Sequence, residues 1–196
     1  MHVPLIDAVV ANDYDRVRDM IANGVDLEYR DEDGRTALLA AVTANNIEIA
    51  RVLMEAGADV NAQDDILDSP YLLAGARGYN EILQLTLEHG ANLTSTNRYG
   101  GTALIPACER GHAETVAMLI AAGVDVNHVN NLGWSGLLEV VILGDGSEPY
   151  INITKQLIDA GADVNLADKD GVTPLQHAQH RGFGRIATLL DNAGGK

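Results

Sequence analysis

The 196-residue chain carries a single cysteine, Cys108, so no disulfide can staple it internally, and the default setting is a reducing cytoplasm. Cys108 falls in a small-residue slot of a helical stretch, where a buried packing role is favoured over a reactive thiol. Long hydrophobic runs are also missing. Apolar residues make up 46% of the chain, yet no run approaches the roughly 18 residues of a membrane span. The internal register begins almost at Met1, so no signal peptide is expected. Bases are scarce, 13 against 28 acids, for a net charge of −15 at pH 7. A surface of that sign repels phosphate, which excludes nucleic acid as a direct partner and favours a protein with a basic patch. Signatures of chemistry are lacking too: no nucleophile motif, phosphate loop or metal-binding spacing occurs. His177 and His180 stand three apart on a helix, but no cysteine or third histidine has fitting register, so neither metal nor cofactor is expected.

What the chain does have is a period. Gly24-Val25-Asp26-Leu27 returns as Gly57-Ala58-Asp59-Val60, Gly90-Ala91-Asn92-Leu93, Gly123-Val124-Asp125-Val126 and Gly161-Ala162-Asp163-Val164, with glycine spacings of 33, 33, 33 and 38. A period near 33 marks stacked units that bury their apolar faces against their neighbours. Thr36, Ser69, Thr102, Ser135 and Thr173 fall where helices begin and are read as N-caps. Pro70 and Pro174 follow at first helical positions. Gly57, Gly90, Gly123 and Gly161 follow apolar helical runs, at the place of a left-handed C-cap. Leu38, Leu53, Leu104, Leu119, Leu137, Leu157, Leu175 and Leu190 are the expected core. Six units result, at 1–30, 31–63, 64–96, 97–129, 130–167 and 168–196, with no linker between any pair. The first lacks a leading turn and the last closes on a polar helix, so both read as caps of one elongated domain spanning 1–196.

Thr173-Pro174-Leu175, Ser69-Pro70, Gly111-His112-Ala113-Glu114 and the closing segments 57–61 and 161–165 together resemble the ankyrin repeat, and the chain is similar to small bacterial proteins made of such repeats alone. The resemblance covers essentially the whole chain. It implies an all-α solenoid of six helix-turn-helix repeats with projecting β-turn hairpins, and a function in binding with no common chemistry. Departures from the pattern include Leu67 where the turn wants glycine, which a side chain resists, and Pro106 in the first turn of its helix, which deletes an N–H. Five additional residues near 145–149 read as a surface loop that is dispensable for folding.

In the ankyrin family, residues flanking the turn glycine project toward a concave face. Carried onto this sequence, those slots hold Asp33 and Arg35, Asp65 and Asp68, Arg98 and Tyr99, Leu132 and Trp134, and Lys169. Helical spacing from the N-caps adds Glu109, Arg110, Glu139, His177 and Arg181 from the inner helices. The ridge is acidic first and aromatic later: residues 1–96 hold 17 acids and 6 bases, residues 97–196 hold 11 and 7. Trp134, the only tryptophan, is the favoured contact anchor. The expected function is that of a non-catalytic, monomeric, cytoplasmic scaffold, an adaptor, inhibitor or effector, that binds a protein partner without a membrane or nucleic acid. The rival is a small-ligand protein or enzyme using the polar groove of repeats four to six, and a deep pocket with a strongly shifted pKa would favour it.

Overall fold

The structure is a computed structural model that describes residues 5–196; Pro4, which in the repeat pattern would fill the Thr-Pro slot of the first unit, lies outside them. Twelve helices and no strand occur among the described residues: α1 (Leu5–Val10), α2 (Tyr14–Ala22), α3 (Ala37–Thr43), α4 (Ile47–Glu55), α5 (Pro70–Arg77), α6 (Asn80–Glu88), α7 (Leu104–Glu109), α8 (Ala113–Ala122), α9 (Gly136–Leu143), α10 (Glu148–Asp159), α11 (Pro174–His180) and α12 (Gly184–Asn192). Two units are distinguishable. The first runs through Ala74 and includes Tyr79–Asn92; the second comprises Gly75–Gly78 and Leu93–Lys196. Within the first, α3 packs on α1, and α2, α4 and α6 pack in succession. Within the second, α7, α9 and α11 form one row and α8, α10 and α12 another, each helix also packing on its sequence neighbour.

The sequence dictates this layering locally. In α4, Ile49, Ala50, Leu53 and Met54 recur at helical spacing and are buried, while the Asn46 side chain accepts from the Ile49 N–H at the start. The helix stops at Gly57, whose φ of 98° suits only glycine, with the Ala58 N–H returning to the Leu53 carbonyl. All eight leucines of the expected core are buried.

Four of the five expected N-caps act through their hydroxyls: Thr36 accepts from Leu39, Ser69 from Leu72, Ser135 from Leu138 and Thr173 from Gln176. Thr102 does not, and Pro106 is the reason. In the other helix starts the residue four beyond the cap donates its N–H to the cap carbonyl, as Ala40 does to Thr36 and Glu139 to Ser135. Pro106 has no N–H to give. The Ile105 N–H takes the Thr102 carbonyl instead, at 3.2 Å, and leaves the buried Thr102 Oγ1 with no partner among the described residues.

The expected loop at 145–149 is also partly helical. Glu148 and Pro149 open α10, with Ser147 at its N-cap position. Gly146, at φ 75°, lies so close to the Phe183 ring that a Cβ there would stand 2.6 Å from it, and Glu148 pairs with Arg185. The insertion lies at the surface as expected, with Asp145, Ser147, Glu148 and Pro149 exposed, but it is anchored through Gly146 and Glu148 rather than free.

Candidate functional site: the turn tips and the helices beneath them

Five hairpin-like turns, at 31–35, 64–68, 97–101, 130–134 and 168–172, share one internal device. The side-chain oxygen of the first residue accepts two backbone N–H groups, two and four residues on: Asp31 from Asp33 and Arg35, Asp64 from Ile66 and Asp68, Asn97 from Tyr99 and Gly101, Asn130 from Leu132 and Trp134, Asp168 from Asp170 and Val172. Such Asx bonding fixes a turn without neighbours. The sequence reading missed this role, although Asp or Asn at the same register in all five turns is the signal for it. The fourth residue has positive φ throughout, including Leu67 at 62°.

In the first unit, much of the acidic excess is thereby explained. Glu28 Oε1 accepts from the Asp59 N–H. Burial is the largest single influence on the Asp31 carboxyl and pushes its pKa up, but hydrogen bonds from Arg35 and Asp33 more than offset it and the net shift is downward. Arg35 pairs with Asp31 at 2.8 Å and Asp33 at 3.1 Å. The Asp65 N–H joins the Asp33 carbonyl of the preceding turn at 3.1 Å, and the Asp65 side chain lies over Gly34. Asp33 and Asp65 are exposed and Asp68 half-buried.

In the second unit, the Asn131 N–H bonds the Tyr99 carbonyl at 2.9 Å, and the Lys169 ammonium donates to the Asn131 carbonyl at 2.6 Å. Successive tips are thus tied together. They display Tyr99, 61% exposed with the Arg98 guanidinium 4.9 Å from its ring centroid, and Leu132, 54% exposed. Trp134, the favoured contact anchor, is half-buried.

Several expected contact residues have structural duties. Arg110 donates to the Ala76 carbonyl at 2.8 Å. Arg181 donates to the carbonyls of Ile142 and Gly144 and lies over the Phe183 ring. His177 Nε2 is 2.8 Å from Asp168 Oδ2; bonds from the Val172 N–H and then from His177 hold the Asp168 carboxyl below its usual range. Glu109 is half-buried, and its carbonyl accepts from the Tyr150 hydroxyl.

Glu139 departs furthest from expectation: instead of facing an open groove it is only 4% exposed. Its Oε1 accepts from Asn130 Nδ2 at 2.8 Å, while Oε2 has no partner among the described residues. Burial, aided by the nearby Glu109 charge, raises its pKa from 4.5 to about 7 against the opposing bond from Asn130. Cys108 is buried on the neighbouring α7, its thiol held protonated by burial and by Glu139, in keeping with a packing role. No cluster suited to a metal ion occurs among the described residues. A shallow cleft of about 310 Å³ lies elsewhere, lined by Ile151, Gly184, Arg185, Thr188 and Leu189. No described helix is long and apolar enough to cross a membrane.

With this architecture established, comparison with known proteins gives a consistent result. The family model described as "Ankyrin repeats (3 copies)" matches residues 2–64 and again residues 71–145. The chain belongs to the ankyrin-repeat family. A solved ankyrin repeat domain from Acinetobacter baumannii AYE is 59% identical and superposes with a TM-score of 0.96 over 98% of each chain. The solved ankyrin repeat protein EF0377 is 39% identical, with a TM-score of 0.92 over 95% of this chain and 96% of that one. The ankyrin repeat domain of Bcl-3, a member of the IkappaB family, is 27% identical, with a TM-score of 0.88 over 100% and 87% of the two chains. Among curated proteins, the ankyrin repeat protein YahD of Escherichia coli (strain K12) is 47% identical over 58 residues, a match that spans 30% of this chain and 29% of YahD. Ankyrin repeats are generally non-catalytic modules of protein–protein interaction.

Proposed function

We propose that the chain is a monomeric, cytoplasmic, non-catalytic interaction module, an adaptor, inhibitor or effector, that holds a protein partner bearing a basic patch. The observation that supports this reading is the pair Tyr99 and Leu132, large apolar side chains displayed on consecutive tips whose backbones are hydrogen-bonded to one another. Anchors on a preorganised backbone lose little entropy on binding. Trp134, beside Leu132, adds a half-buried aromatic surface. Asp33, Asp65 and Asp68 in the first unit serve the encounter, since rim carboxylates act mainly on association rate. The raised pKa of Glu139 favours the rival ligand-binding reading, but a carboxyl 4% exposed offers a ligand little to touch.

The test begins with affinity capture from the native cell and identification of the partner by mass spectrometry. Surface-immobilised kinetics on the purified pair then follow. Trp134→Ala is expected to weaken binding by about 2 kcal/mol with helical circular dichroism unchanged. Neutralising Asp33, Asp65 and Asp68 together slows association at low salt and has little effect at high salt. Wild-type affinity in Trp134→Ala, or loss of its fold, overturns the assignment of the tip as the contact.

A further inference from the structure

Two of the five turns are tied to the helix that follows by a titratable side chain nine residues beyond the first turn residue: Asn130 to Glu139, and Asp168 to His177. The same slot holds Ala40, Leu73 and Pro106 in the other three, which form no such tie. The two polar ties differ. His177 and Asp168 are complementary, and each satisfies the other. Glu139 meets a neutral amide with one oxygen, and its other oxygen is buried with no hydrogen-bond partner among the described residues.

The orientation of Asn130 is fixed by the backbone. Its Oδ1 accepts from the Leu132 and Trp134 N–H groups, so Nδ2 must point at Glu139. The carboxyl and the display turn therefore share one side chain. Among the described residues no cation offsets the ionised form of Glu139: the Arg110 and Arg181 guanidinium groups are committed to backbone carbonyls. From α7 come Glu109, a like charge, and the buried Cys108 thiol. On α10, Tyr150 spends its hydroxyl on the Glu109 carbonyl. On α11, His177 is committed to Asp168. Beside the turn, Lys169 is committed to the Asn131 carbonyl.

We propose that Glu139 is a proton-operated latch beneath the 130–134 turn: uncharged, it stays in its dry site and holds Asn130, and on ionising it draws in water or swings out and loosens the turn that presents Leu132 and Trp134. An ionised carboxylate with an unpartnered buried oxygen is far costlier than the neutral acid. The relief available on deprotonation lies in moving toward solvent, and Asn130 carries that movement to the two N–H groups it accepts. The raised pKa, about 7, puts the change within the physiological range.

The test needs no partner, so it is independent of the binding reading above. Side-chain carboxyl NMR of the wild-type protein, titrated between about pH 5 and 9, follows Glu139 directly. Backbone amide shifts of Leu132 and Trp134, with the fluorescence of the single tryptophan, follow the turn. Glu139 is expected to titrate near 7 and the turn signals to move with the same midpoint. In Glu139→Gln those signals are flat across the range, and in His177→Gln they persist. Titration of Glu139 in the ordinary carboxylate range near 4.5 overturns the proposal. So do turn signals that fail to follow Glu139 in the wild type, or that persist in Glu139→Gln. If Glu139→Gln does not fold, the wild-type carboxyl and amide midpoints decide alone.

Discussion

Replacing Glu139 by glutamine should stabilise the protein at alkaline pH and leave it nearly unchanged at acid pH. The folded-state pKa of about 7 stands above the ordinary 4.5. Between those values the folded chain keeps a proton that the unfolded chain has released, so stability from this group falls as pH rises. The contribution is fully present below about 4.5, is lost as pH climbs through about 7, and is constant beyond. At about 1.4 kcal/mol per pKa unit, the swing is about 3 kcal/mol, an upper figure because water entering the site relieves part of it. Glutamine keeps the shape and an acceptor for Asn130 and has no charge to bury. The difference in unfolding free energy between Glu139→Gln and wild type should therefore be within about 1 kcal/mol of zero near pH 4 and grow to about 3 kcal/mol near pH 8. Urea unfolding at fixed pH, followed by Trp134 fluorescence in the same unit, measures it. The other carboxylates titrate in both proteins and cancel in the difference. A difference that stays flat across this range refutes the reasoning, because it would mean that Glu139 is solvated in the folded state.

Leu67 holds a left-handed conformation, φ 62°, with its side chain 45% exposed; Leu67→Gly removes that strain at the cost of a freer unfolded chain, for a net gain of about 0.5–1 kcal/mol in chemical denaturation. Thr102→Val discards a buried hydroxyl that bonds nothing and should be neutral or stabilising by up to about 1 kcal/mol, whereas Thr36→Val breaks a working cap and should cost about 1 kcal/mol. Excising residues 145–149 removes the start of α10 and the Gly146 contact with Phe183, so thermal melting should show a loss of about 1–2 kcal/mol; an unchanged melt would return the segment to the status of a free loop.

The layered helices were legible in the sequence because their signals are local. A closing glycine, a hydroxyl at five of the helix starts and leucines at helical spacing depend only on the backbone within one turn, and the structure places the glycines, the leucines and four of the five hydroxyl caps as expected. Thr102 shows where a local rule gives way: its hydroxyl is sound, but a proline four residues on redirects the donor it needed. Longer reach was not legible. Arg110 and Arg181 look like displayed cations at a repeating slot, and only the fold brings them to carbonyls 34 and more residues earlier. Glu139 was misplaced for the same reason. Its spacing from Ser135 points it toward the neighbouring helices, but α7 and α11, not α9, decide whether that direction is solvent or protein.

A similar distinction applies to charge. A net charge of −15 suggests a surface built to attract a cationic partner, yet many of these carboxylates face the backbone. Asp26, Asp59, Asp125 and Asp163 each accept from the N–H two residues on, and Asp31, Asp64 and Asp168 brace their turns. An acid that accepts from backbone N–H groups has part of its field neutralised locally and cannot turn toward a partner. The exposed tip carboxylates are thus a smaller set, Asp65 among them, and Asp33 is itself paired with Arg35, while Tyr99 and Leu132 supply exposed apolar area in the other unit. On the reading proposed above, specificity would reside in the few tip positions whose side chains the repeat does not use for its own backbone, and Leu132 and Trp134 are set apart even among these by the buried acid to which their turn is tied.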